Sequence, residues 1–175
     1  AHLSVAMEKI KRKFGPELEL SVPKVPYKET ISSIATSEYK HKRQSGGHGQ
    51  YGHVRLRIEP LARGKGFEFA SGIVGGAVPR EYIPAVEKGV SKTLVDGIIT
   101  KCPVVDIKVV LYDGSSHDVD SSGVSFEIAA SHALRKGFLS ANPCLLEPIV
   151  KLNVTVPDAN MGDVIGDLNG KRGKI

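Results

Sequence analysis

An α+β fold, a layered sheet with helices packed on one face, is predicted by three features of this 175-residue sequence. The segment 52–60 alternates cleanly, with Val54, Leu56 and Ile58 set against Arg55, Arg57 and Glu59, which is the period of a half-buried strand. Two later segments, 80–96 and 122–136, place apolar residues at three- and four-residue steps, the period of a helix with one buried face. Between them Val104–Tyr112 reads as a buried strand, so strands are joined by helix-bearing connections.

The elements follow in order. Leu3, Met7, Ile10 and Phe14 predict an opening helix, with Lys11, Arg12 and Lys13 favourably placed in its last turn and Gly15 as its stop. Neither a capping residue nor an initiator Met precedes it, so the sequence reads as a portion of a longer protein. Pro23 and Pro26 mark Ser21–Lys28 as an extended linker. Residues 29–40 read as one strand, 52–60 as the next, and Phe67–Phe69 as a short third between Gly64/Gly66 and Gly72. In the segment 80–96, Ile83, Val86, Val90 and Leu94 share a face, Pro84 is tolerable in the first turn, and Gly97 is a stop. Phe126, Ala129, Ala133 and Leu134 mark the second long helix, which Gly137 is expected to close. Leu145–Val156 reads as a strand. Val164, Ile165 and Leu168 predict a short helix before the turn at Gly170–Gly173.

Composition narrows the function classes. With 41% hydrophobic and 25% charged residues the chain is not disordered as a whole, and no run approaches the ~18 apolar residues of a membrane span. Two cysteines, Cys102 and Cys144, cannot build a disulfide framework, which makes a reducing cytoplasm the expected location, with no membrane partner. The net charge is +5, and it is uneven. Residues 1–65 hold 13 Lys/Arg against 6 Asp/Glu, whereas 66–175 hold 11 against 13, so one end is suited to a polyanion such as RNA.

Three segments carry candidate chemistry. The first, Arg43–His53, has four glycines in seven positions together with donors and a ring at Arg43, His48, Gln50, Tyr51 and His53. Such a loop either brings backbone close to phosphate or ribose, or is a hairpin turn whose glycines only serve its geometry. The second, Tyr112–Ser122, centres on His117. A hydrolase would use His117 as base, Asp118 or Asp120 to orient it, and Ser115, Ser116 or Ser121 as nucleophile. Sequence neighbours seldom fold into one triad, and nothing resembles a nucleophile elbow. The plainer reading is a turn in which Asp120 or Ser121 caps the following helix, and no ligand spacing there suggests a metal. The third, Met161–Gly173, contains Gly-Lys without the rest of a phosphate-binding loop.

Six runs in order resemble bacterial or organellar translation elongation factor G. They are Arg43–His53; Gly75-Gly76-x-x-Pro79-x-Glu81-Tyr82-Ile83-Pro84-Ala85-Val86; Pro103–Lys108; Tyr112-Asp113-Gly114 with His117-x-Val119-Asp120-Ser121-Ser122; Leu145–Pro148; and Met161–Leu168. The resemblance implies that residues 1–26 end domain III and its linker. It assigns 27–144 to domain IV, a ribosomal protein S5 domain 2-like fold with a left-handed crossover, and 145–175 to the start of a truncated domain V, the flanking pieces being ferredoxin-like. It further implies a translational GTPase that moves tRNA and mRNA, with GTP and Mg2+ bound outside this stretch, which carries neither a P-loop nor an Asn-Lys-x-Asp motif and is expected to need no cofactor of its own. The implied partner is the ribosome: small-subunit rRNA, A-site tRNA and mRNA, met by a monomer. The implied contact residues are Ser45, Gly46, Gly47, His48, Gly49, Gln50 and Tyr51 in one tip loop and Ser115, Ser116 and His117 in the other. Lys40, Lys42 and Arg43 lie on the approach. His48, Ser116 and Gly123-Val124-Ser125 depart from the commoner family pattern, and His48 together with the run Ser21–Thr30 resembles elongation-factor-G-like paralogues, which act in recycling, rescue or tetracycline protection.

Overall fold

The computed structural model describes residues 2–21, 24–44, 46–47 and 49–175. Helix α1 (His2–Phe14) ends at Gly15. Strands β1 (Lys28–Ile31), β2 (Ala35–Arg43), β3 (Gln50–Pro60) and β4 (Phe67–Ser71) follow. A short 3-10 turn, Arg80–Tyr82, leads into α2 (Ile83–Asp96), then β5 (Ile107–Ser115), α3 (Gly123–Ser140) and β6 (Pro143–Leu146). A second turn, Asp158–Asn160, opens α4 (Met161–Gly170).

The main sheet has the order β2-β3-β5-β4, antiparallel except for the parallel pair β4/β5. Parallel neighbours cannot be joined by a hairpin, so α2 serves as the crossover between them. Alternation decides which face is covered. Val54, Leu56 and Ile58 point inward and are fully buried with Ile107, Val109 and Leu111 under Phe126, Ala129, Ala133, Leu134 and Phe138 of α3. On the neighbouring strand Ser37 donates to the Ala133 carbonyl at 2.8 Å, and Tyr39 stacks on His132 with centroids 4.6 Å apart. The opposite face of the sheet carries Glu38, Lys40, Lys42, Arg55 and Arg57, residues a helix could cover only at a desolvation cost. This is the mixed α+β architecture expected, with helices on one face.

A second, two-stranded sheet pairs β1 with β6 and so joins the start of this unit to its end. Glu29 of β1 is buried. Its carboxylate accepts from the N–H groups of Ile98 (2.9 Å), Ile99 (3.0 Å) and Thr100 (2.7 Å) and from the Thr100 hydroxyl (2.9 Å). Burial works to raise its pKa, but those donors outweigh it and hold the group below the usual carboxylate range.

Several boundaries differ from the sequence expectation. Residues 29–40 are two strands, broken at Ser32–Ile34, because β1 and β2 belong to different sheets. The strand expected from Val104 begins at Ile107, since Asp106 takes φ +59° and interrupts the extended backbone. Gly137 does not close α3, which runs on to Ser140. A Cβ there would lie 2.6 Å from Ile58 Cδ1 and from Ser37 Oγ, so this glycine lets helix and sheet approach closely. The cap of that helix is Ser122, which accepts from Ser125 N–H, rather than Asp120 or Ser121. Of the strand expected over 145–156, only Leu145 and Leu146 are strand. Residues 147–156 find no partner strand among the described residues, and Ile149 is 97% exposed.

Candidate nucleic-acid interface

Antiparallel pairing carries the β2–β3 turn and the end of β5 to one end of the sheet. His53 lies opposite Ser115 in register, and a parallel bridge joins Tyr51 to Ser121. The Tyr51 hydroxyl and Ser115 Oγ are 2.8 Å apart, and Ser115 Oγ is 3.1 Å from His53 Nδ1. Behind them Arg55 donates to Glu38 (2.7 Å) and to Asp113 (3.1 Å). The bond from Arg55 is the main reason the Glu38 carboxyl sits below its ordinary pKa. Arg55 is thus neutralised. Lys40, Lys42 and Arg43, nearer the turn, form no ion pair among the described residues. Lys40 Nζ instead lies 5.3 Å from the centre of the Tyr51 ring, a cation–π distance.

Two kinds of glycine occur in the first loop. Gly46 and Gly47 have φ of +62° and +82°, and a Cβ on either would meet nothing within 4 Å among the described residues, so they serve the turn. At Gly49 and Gly52 a Cβ would meet the Asp120 carboxylate and the Ser125 backbone, each at 2.8 Å. These two let the loop pack on its own neighbours, a use of glycine that residue types alone do not reveal. Gln50 is held by His41, with Oε1 and Nε2 2.9 Å apart. Ser45 and His48 lie outside the described residues.

In the second loop Ser116 is half-buried, and His117 is exposed at the crest. His117 N–H donates to Ser121 Oγ at 2.8 Å, closing the turn. The imidazole Nδ1 accepts from the N–H groups of Val119 (3.4 Å) and Asp120 (3.3 Å), so in the neutral ring the proton is on Nε2 and is available to an acceptor outside. The rings of Tyr51 and His117 lie 6.1 Å apart. The structure therefore brings Tyr51, Ser115 and His117 together, with Gly49 beside Asp120 and the lysines one side along β2. It brings no serine hydroxyl into hydrogen bonding with the His117 ring among the described residues, so the triad required by the hydrolase reading is not assembled. His53 and Asp120 are the participants that sequence reasoning undervalued. Extending the alternation of 52–60 back to Tyr51 would have put Tyr51, His53 and Arg55 on one face.

Two family models place this architecture among translation-factor domains. The model for elongation factor G domain IV matches residues 23–142, and that for the elongation factor G C-terminus matches 144–175. An elongation factor G-like protein of Thermotoga maritima is 50% identical over 173 residues, which are 99% of this chain and 25% of that protein. A crystal structure of a Thermus thermophilus protein superposes with a TM-score of 0.85 at 45% identity, over 98% of this chain and 25% of that one. This chain belongs to the elongation factor G family, and it spans about a quarter of the length of those relatives.

Proposed function

We propose that this chain is the ribosome-contacting part of a translational GTPase, and that its two lashed loops enter the decoding region of the small subunit to promote movement of tRNA and mRNA. One observation carries the reading: two loops distant in sequence meet at one end of the sheet and present an exposed imidazole, a tyrosine ring and cations that form no ion pair among the described residues. Short loops with donors and stacking rings suit the 2′-hydroxyls and splayed bases of structured RNA. Lys40, Lys42 and Arg43 supply the phosphate contacts. The nucleotide chemistry is assigned to segments outside this chain. Among the described residues no cluster of His, Cys, Asp or Glu could hold a metal ion, and no helix is long and apolar enough to cross a membrane.

The departures at His48 and Ser116, and the "elongation factor G-like" name of the Thermotoga maritima relative, favour a second reading as a paralogue acting in recycling, rescue or tetracycline protection. Competition between this chain and the full-length protein for ribosomes tests the common core of both readings. Three phosphate contacts should weaken binding about tenfold or more between 50 and 200 mM salt, and salt-independent binding would overturn the electrostatic account. Rapid-kinetic translocation by the full-length protein then separates a translocase from a paralogue that does not move tRNA.

A further inference from the structure

We propose that Asp120 is the positioning residue of the tip, binding the β2–β3 turn to the 115–122 loop and setting where His117 stands. The inference rests on the tip reading above. Asp120 engages both loops through its backbone N–H and carbonyl and through one carboxylate oxygen. Its Oδ1 accepts from Gly49 N–H at 2.9 Å and its backbone carbonyl from Tyr51 N–H at 2.8 Å. On the other side its N–H donates to His117 Nδ1 at 3.3 Å, and Oδ2 lies 3.6 Å from the same nitrogen. The side chain is only 25% exposed, so these bonds are partly shielded from competing water. Gly49 is the matching half. A Cβ at that position would lie 2.8–3.0 Å from the carboxylate atoms and push the clamp open. Gly49 and Asp120 stand 71 positions apart in the chain, so this contact couples loops that local sequence cannot hold together.

The test pairs amide hydrogen exchange in the 175-residue chain with translocation kinetics in the full-length protein. Asp120→Ala should speed exchange at Gly49 about tenfold or more, the effect of one lost charge-assisted bond. Asp120→Asn keeps the acceptor oxygen and the volume, and should restore that protection. On the ribosome, Asp120→Ala should slow translocation by the same factor as His117→Ala, and the double variant should be no slower than either. Unchanged exchange at Gly49 in the alanine variant would overturn the clamp. Faster exchange with an unaltered translocation rate, or a double variant slower than both singles, would overturn the positioning role. If His117→Ala itself leaves translocation unaltered, the tip reading fails and the positioning role with it, while Gly49 exchange still decides whether the clamp exists. A melting curve for each variant separates these outcomes from unfolding, and the asparagine variant stands in if alanine does not fold.

Discussion

The two ends of the main unit use the same device for different purposes. At the base, the Glu29 carboxylate gathers the N–H groups of Ile98, Ile99 and Thr100 and so fixes the loop after α2 to β1. At the tip, the Asp120 carboxylate takes Gly49 N–H and faces His117. Glu29 is 2% exposed and the Asp120 side chain 25%. A buried carboxylate left without donors would be costly, so the base must satisfy every lone pair, and its bonds bear on whether the domain folds. At the half-exposed tip, water can replace a lost partner, which leaves the residues there free to be chosen for what they present outward. The difference is one of burial rather than of bonding chemistry.

The largest effect is expected at the base. Glu29→Ala strands at least three backbone N–H groups in a buried site and should cost about 3–5 kcal/mol, measured by denaturant unfolding. The pH dependence has a definite sign. The folded-state pKa of Glu29 is lowered, so its contribution is fully present above the unfolded value of about 4.3 and is lost as pH falls through the lower folded value. Asp106 acts in the same direction. Burial would raise its pKa, but the N–H groups of Gly66 and Gly64 and then Arg63 outweigh that. Acid unfolding of Glu29→Gln should therefore be less steep below pH of about 4.3 than that of the parent chain. An equal slope would mean that Glu29 does not drive the acid transition.

Next in size is the seam between the helices. A Cβ at Gly89 of α2 would collide with the Glu127 carbonyl of α3, and backbone cannot swing aside as a side chain can. Gly89→Ala should destabilise by about 1–3 kcal/mol through overpacking, although alanine gains about 1 kcal/mol in helix propensity. Thermal melting decides it, and a raised midpoint would show that the helices separate easily. Thr30 tests the base with the opposite sign. Its hydroxyl is buried without a hydrogen-bond partner among the described residues, so Thr30→Val, of nearly the same shape, should stabilise by about 1 kcal/mol. A loss of stability there would mean the hydroxyl has a partner after all.

What was legible in the sequence divides along the same line. The strand 52–60, both long helices and their inward faces could be read because periodicity is local. The break at Ser32–Ile34, the passage of α3 through Gly137 and the missing strand over 147–156 could not, because each depends on what lies across the fold. A strand exists only where another strand accepts its hydrogen bonds, and a glycine inside a helix is explained by the residue it faces. The tip shows the same limit. The glycine loop and His117 stood out by composition, whereas the pairing of Ser115 with His53 and of Asp120 with Gly49 comes from register and topology. Asp120, which the sequence suggested as a helix cap, is a tie between loops because Ser122 fills the capping position.

The smallest expected effect on folding, and the one that best separates tip from base, is His117→Ala. The side chain is 54% exposed, and its ring nitrogen accepts two long bonds, from amides that water can serve equally well, while the Tyr51 ring stands 6.1 Å off. Removing it should shift stability by no more than about 0.5 kcal/mol. What alanine cannot supply is the Nε2–H donor or a ring to stack on a base. A full-length protein with His117→Ala should therefore melt with the parent and move tRNA and mRNA more slowly. Calorimetry and stopped-flow translocation on the same preparation give both quantities. If stability and speed fall together, His117 belongs with Glu29 among the residues that hold the domain together, and the contrast between the two ends collapses. If the midpoint holds and translocation alone slows, burial has divided the chain as argued, with folding secured at the base and contact assigned to the tip.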